Sequence, residues 1–341
     1  MKNANSDVPV PPRLARLLAA VAVGATCGFA SWLVATHLPL NAYQDFAFWR
    51  RAARAVLEHD NPYAIVRGAN QVPFFLYPLP SALAIIPLTW IPASLGGALF
   101  VGSSCALLAF AVTANAWWPL LMFLSGSMVL TVRTAQASAW LTAALFVPSL
   151  TWMGVFKPNI GLAILAYRPS WKHALIMIAI AGLSLLVMPT WPREWIATAS
   201  RSPYHFAAWR VPGGVLLFAV LSRWRRPEAR LIAMLALVPS SPIVYETLPL
   251  FVVPRTKQQM ILLVILTNVM FLLTASISLQ RDTQNYLDVA RPAIVALVYA
   301  PAALMVMLRP NEGTLPTWLE NRVTRLPSWL RGTPIAAPAA R

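Results

Sequence analysis

The chain has 341 residues, of which 58% are apolar and only 11% charged, and its mean hydropathy is +0.61. A soluble domain of this size coats its surface with about a quarter charged residues, so a soluble enzyme is excluded, as are disordered and collagen-like chains. The 27 Lys and Arg against 11 Asp and Glu give a formal charge of +16, read here as loop charge facing anionic lipid, because no basic face is interleaved with aromatics in the manner of a nucleic-acid site.

The expected fold is therefore all-α, a polytopic membrane bundle with room for roughly eight to eleven spans of about 20 residues. Long unbroken apolar runs argue against a transmembrane barrel. Residues 1–13 are a polar cytoplasmic tail, and the run 14–38 is an uncleaved first span. Residues 40–76 then leave the membrane as an outer loop. Within it, YQDFAFWRRAARAVLEHDNPY places Phe46, Trp49, Ala53 and Val56 on one side of a helix, with Arg50, Arg51, Arg54 and Glu58 mostly on the other. This predicts an amphipathic juxtamembrane helix lying along the bilayer surface and ended by Asn61-Pro62.

Apolar runs follow at 77–93, 95–114, 116–132, 137–156, 159–167 and 173–190. After a polar stretch at 191–210 come further runs at 211–222, 229–254, 259–280 and 291–308. Ser240-Ser241-Pro242 breaks the 229–254 run. Irregular backbone at membrane depth survives only where protein or a wet cavity satisfies it, so the break is a candidate cavity wall. Basic clusters at Arg168/Lys172, at 223–230 and in the tail (Arg309, Arg322, Arg325, Arg331) mark the cytoplasmic face and put 40–76 and 191–210 on the opposite side. Residues 14–308 then form one multi-span domain, and 309–341 a flexible basic cytoplasmic tail.

Carboxylates are scarce, eleven in all. Asp7, Glu312 and Glu320 lie in the tails, Glu228 in a basic loop, and Asp282 and Asp288 in a polar loop. The others are Asp45, Glu58, Asp60, Glu194 and Glu246. Asp45 follows the first span and sits among Phe46, Phe48 and Trp49. Partial desolvation there raises a carboxyl pKa and suits a general base; capping the helix N-terminus explains the same residue equally well. Lys157 is flanked by apolar sequence on both sides. It reads either as a phosphate-binding cation in a polar cavity or as a snorkelling lysine at the helix boundary set by Pro158. Gln136, with Arg133 nearby, and the pair Tyr245/Glu246 are further candidates beside plain interhelical bonding. Cys27 and Cys105 lie in apolar runs and read as packing; the four histidines are scattered, so no metal or cofactor is expected.

These pieces occur in an order that resembles glycosyltransferase family 87, whose members are GT-C-type, polyprenyl-phosphate-sugar-dependent transferases. The segments DFAFWRRAARAVLEHDNPYAIV and FLYPLPSALAIIPLTWIP carry most of the likeness, through Asp45, Phe46, Trp49, Asn61-Pro62-Tyr63 and Tyr77-Pro78, with Pro80 where a second proline is shifted by one. The family's Gly-Gln motif looks like Ala135-Gln136, its Lys-Pro motif like Lys157-Pro158, and its Ser-Pro motif like Ser241-Pro242. The spacing from Gln136 to Lys157 is shorter than the family's, and Tyr245 and Glu246 stand where it often has an aromatic residue and histidines.

The resemblance implies transfer of a sugar from a polyprenyl-phosphate donor to a lipid-linked or envelope glycan acceptor on the outer face of the plasma membrane. Asp45 would be the base and Lys157 the donor-phosphate cation, with Arg67, Arg201 and Arg210 as alternatives. Trp49, Tyr63, Tyr77, Gln136, Tyr245 and Glu246 would contact substrate. A lipid transporter or flippase, and an inactive relative, are the competing readings; broken helices and an intramembrane lysine suit a transporter too, but no inverted repeat is evident.

Overall fold

The structure, a computed structural model, describes residues 10–37, 45–66, 75–278, 283–324, 327 and 331–334. Within these residues the chain is mostly helical, and strand pairing is limited to Glu312–Gly313 beside Thr333–Pro334 and one bridge between Phe206 and Ser240. Among the described residues four helices are long and apolar enough to cross a membrane: Arg13–His37, Ala93–Val112, Lys257–Ile277 and Thr283–Met307.

The first of these is α1 (Arg13–His37). After residues outside the described set, α2 (Asp45–Leu57) and the short α3 (Pro62–Ile65) follow. Asn61 caps α3, its side chain accepting from Tyr63 N at 2.9 Å. The periodicity of α2 is as read, but its surroundings differ. Phe46, Trp49, Ala52 and Ala53 are buried within the protein, where α2 packs on α4 (Leu79–Ile85) and on the tight turn Ile86–Trp90. Large aromatics such as Phe46 and Trp49 gain much by burial, and here protein covers them. Arg50 secures the packing by donating to the carbonyls of Thr89 and Ile91 at 3.0 and 2.9 Å.

The next apolar run forms α5 (Ala93–Val112), which packs along α1. The helices are antiparallel: Arg16, near the start of α1, donates to Phe110 O near the end of α5 at 2.8 Å, where a cation also suits the helix dipole. Gly24 and Gly28 allow the approach. A Cβ on Gly24 would lie 2.6 Å from both Ala106 Cβ and Gly102 O, and one on Gly28 would lie 2.9 Å from Ala98 O.

Most remaining runs are broken into shorter pieces. They are α6 (Gly126–Thr134), α7 (Ser138–Phe146), α8 (Pro158–Tyr167), α9 (Trp171–Ser184), α10 (Trp191–Ala199) and α11 (Pro227–Leu237). Stretches of 3₁₀ geometry at Trp118–Leu124, Pro148–Phe156, Gly214–Arg223 and Val244–Val252 lie among them. Prolines at 119, 148 and 158 begin pieces of this set, as expected of residues that lack an N–H and hold φ near −65°. α12 (Lys257–Ser278) is continuous. α13 (Thr283–Ile294) runs through one π turn (Val295–Tyr299) into α14 (Ala300–Met307).

The segment read from composition as a flexible tail is described only in part. Its described part, including α15 (Thr317–Val323), is docked on the arginine loop at 223–230. Arg225, 1% exposed, donates to Glu320 Oε1 at 2.8 Å and Oε2 at 3.2 Å and to the carbonyl of Arg331. Its own N–H goes to Asn311 Oδ1 at 3.0 Å. A buried guanidinium must find acceptors, and the tail supplies them.

Gly24→Val is expected to destabilise the protein by about 3 kcal/mol, the upper end for overpacking, because the obstructing atoms belong to backbone and a short side chain. Thermal unfolding in detergent checks this, and an unchanged melting temperature would show that α1 can move off α5 freely.

Candidate functional site

The site begins with three local features that turn polar side chains inward. First, α6 ends at Ala135, which has φ 51° and ψ 51°. That left-handed conformation is rare for a residue with a Cβ. The turn is closed by Gln136 N donating to Thr131 O at 3.0 Å, and it drives the Gln136 side chain into the interior, fully buried. Second, Lys157 precedes Pro158 and is extended, with φ −146° and ψ 85°, as a following proline requires. Third, the break after α11 leads into the 3₁₀ turn that carries Tyr245 and Glu246. Phe206 and Ser240 exchange backbone bonds at 2.9 and 2.7 Å, and Asn159 donates to Ser240 Oγ at 2.8 Å. The break at Ser240-Ser241-Pro242, expected to wall a cavity, is thereby pinned to α8.

The short stretch between Gln136 and Lys157 returns to its starting end. α7 runs out over nine residues and the 3₁₀ segment Pro148–Phe156 runs back over nine. At about 1.5 and 2.0 Å per residue the two legs are comparable in length. Gln136 and Lys157 consequently both act on Asp45.

Asp45, the first residue of α2, accepts from the Gln136 amide through Oδ2. The second amide hydrogen goes to Tyr77 Oη at 3.0 Å. Tyr77 is in turn fixed by its neighbours: Tyr63 Oη donates to Tyr77 O at 3.1 Å, and the rings of Trp49 and Tyr77 meet edge-on at 4.9 Å. Lys157 Nζ lies 2.6 Å from Glu246 Oε1, and Ser241 donates to the same oxygen at 3.2 Å. The ammonium also sits 5.0 Å from the ring centre of Tyr245 and 5.8 Å from that of Tyr77. The Lys157–Glu246 contact is a close ion pair rather than an aligned hydrogen bond, and among the described residues Glu246 Oε2 has no hydrogen-bond partner.

Asp45 lies outside the four long apolar helices. As a residue it is partly exposed, but its carboxylate is enclosed by these groups. Burial pushes its carboxyl up to about 7; the Lys157 charge and the Gln136 amide pull it down, the Glu246 charge pushes it up, and the Tyr245 hydroxyl pulls it down.

Beside this polar cluster is an apolar cavity of about 380 Å³, walled by Leu88, Phe100, Trp140 and Trp152, with Trp49 and Phe156 between it and the cluster. Trp49 touches Tyr77, Phe156 is bonded to Lys157, and Ala137, also in the wall, is bonded to Gln136. Trp140 and Trp152 carry no signal of a site in the sequence, where an aromatic in an apolar run reads as packing.

Of the candidate residues, Asp45, Trp49, Tyr63, Tyr77, Gln136, Lys157, Tyr245 and Glu246 are gathered here. Arg201 and Arg210 are not. Both are exposed, Arg210 lies over the ring of Trp209 at 5.3 Å, and neither is among the groups whose charge reaches Asp45. Arg67 lies outside the described residues. Among the described residues, no group of three or more His, Cys, Asp or Glu side chains is placed to hold a metal ion. No protein-family model, no curated protein and no solved structure matches the chain.

Lys157→Met is expected to cost about 3–5 kcal/mol by stranding Glu246, and Lys157→Met combined with Glu246→Met to recover most of that loss, since a buried ion pair is replaced well by apolar side chains but poorly by half of itself. Melting of both variants in detergent measures the difference. Equal losses in the two would show that Glu246 is not Lys157's partner.

Proposed function

We propose that the protein is a membrane glycosyltransferase. It moves a sugar, mannose or another hexose or pentose, from a polyprenyl-phosphate donor to a lipid-linked or envelope glycan acceptor, on a bundle of GT-C type at the outer face of the plasma membrane. The observation that carries this is the convergence of Asp45, Gln136 and Lys157, from three distant parts of the chain, beside a cavity lined by aromatic and aliphatic side chains. A lipid-linked donor needs both halves of that arrangement: polar groups for the sugar phosphate and an apolar recess for the prenyl chain.

Two details add support. The resemblance pairs Ala135 with a family glycine, and Ala135 has the positive φ that favours glycine. It also pairs Asp45, Tyr77, Gln136 and Lys157 with family motifs, and these four lie in one cluster.

In the proposed reaction the ionised Asp45 takes the proton of an acceptor hydroxyl as its oxygen attacks the anomeric carbon. The bond from that carbon to the phosphate oxygen breaks on the opposite face, so configuration inverts. Lys157 meets the charge that develops on the departing phosphate. Gln136 holds Asp45 in place and so acts as a positioning residue; Tyr77 and Trp49 offer ring faces to the sugar. The acceptor and donor are held together within the bundle, which removes much of the entropic barrier.

Purified protein incubated with radiolabelled polyprenyl-phosphate sugars and membrane lipids is expected to form labelled glycolipid. Asp45→Asn is expected to lower transfer by about 10²–10⁴-fold with little change in melting temperature. Retained transfer in that variant removes Asp45 from the base role. Because the base must be ionised, and its carboxyl titrates at about 7, kcat/KM for the acceptor, measured with the donor saturating, rises with pH through that region and levels off above it. A profile flat from weakly acidic to alkaline pH would contradict the assignment.

A further inference from the structure

Glu246 has no task in the reaction just described, yet it makes the closest contact to the cation. Its Oε1 lies 2.6 Å from Lys157 Nζ, with both side chains under a tenth exposed. The groups facing this pair come from several elements: Asp45 on α2, Tyr77 ahead of α4, Ser241 and Tyr245 around the break, and Tyr299 on the π turn. Among them Lys157 is the one cation. With Asp45 and Glu246 ionised, the described residues of the chamber carry two negative charges and one positive. A bound phosphodiester adds a third negative charge within reach of the same ammonium, in surroundings where unbalanced charge is poorly solvated. The ammonium is already committed, and the incoming anion must compete for it.

We propose that Glu246 is the resident counter-ion of Lys157, and that a phosphodiester anion entering the site takes the ammonium over from it while Glu246 accepts a proton from solvent. The exchange rests on the donor-phosphate role assigned to Lys157 above. It accounts for three features together: a glutamate placed where it weakens anion binding, its second oxygen left without a hydrogen-bond partner among the described residues, and the Ser241 hydroxyl at 3.2 Å, ready to hold the carboxyl once the ammonium has gone. Protonation of Glu246 also leaves Asp45 ionised and able to act as base. Anion binding is thereby coupled to proton uptake, and Glu246 sets both the affinity for the donor and its dependence on pH.

The test is calorimetric binding of farnesyl methyl phosphate, a lipid phosphodiester with one negative charge, to the full-length protein in detergent. Measurements in two buffers of different ionisation enthalpy count the protons. The wild type is expected to bind with proton uptake. Glu246→Gln, which cannot neutralise the ammonium, is expected to bind at least about fivefold more tightly and with less uptake. Lys157→Met combined with Glu246→Met is expected to bind more weakly than the wild type. Inorganic phosphate, run in parallel, separates the sources of the anion: binding of the lipid alone assigns the exchange to a lipid headgroup, and binding of both assigns it to phosphate in general. Unchanged or weaker lipid binding by Glu246→Gln, with the wild type binding normally, overturns the exchange and leaves the donor reading standing. If Glu246→Gln does not fold, the wild type still decides, since binding without proton uptake overturns the exchange. No binding of either anion by the wild type overturns the donor reading and the exchange together.

Discussion

A lysine ammonium enclosed in an apolar bundle must be given an anion, and the architecture around Lys157 is organised by that demand. Glu246 reaches it only because the helix after α11 is broken and the 3₁₀ turn Val244–Val252 is pinned back on α8 through Asn159 and Ser240. Asp45 joins them because α2 turns its aromatic face into the protein and is clamped there by Arg50. Apolar side chains of the same size in place of the pair would cost less in solvation. The buried pair is therefore weak evidence for stability, which fits the role proposed for Lys157.

The elements differ in how far composition and periodicity reveal them. The long helices α1, α5 and α12 are written directly in apolar runs, and the period of α2 in its arginine and aromatic spacing. The environment of α2 is not, because the same amphipathic pattern serves a helix on lipid and a helix on protein. Proline-rich runs hide their structure for a related reason. Apolar composition measures how much surface is to be buried, whereas the choice between one span and two short pieces turns on backbone hydrogen bonds that prolines remove.

The site shows a similar division. Asp45 and Lys157 stand out because charge is scarce in this chain, and Gln136 and the Ser241-Pro242 break because polar groups in apolar runs are costly. Their convergence depends on the out-and-back path from Gln136 to Lys157, which no local pattern encodes. Arg201 and Arg210 illustrate the converse: they are charged, near the right loops, and exposed. Charge alone is a weak guide at a membrane surface, where arginines have many uses; an ionisable group surrounded by apolar sequence is a stronger one.

The clasp between Arg225 and Glu320 has a consequence for the order in which the molecule is made. The two residues are 95 positions apart, so a ribosome working at typical speed needs about 5–20 s after the arginine to deliver the glutamate. Throughout that interval the guanidinium lacks its carboxylate. The helices that follow are thus synthesised against an unsealed end, and that end cannot close before the tail has been made.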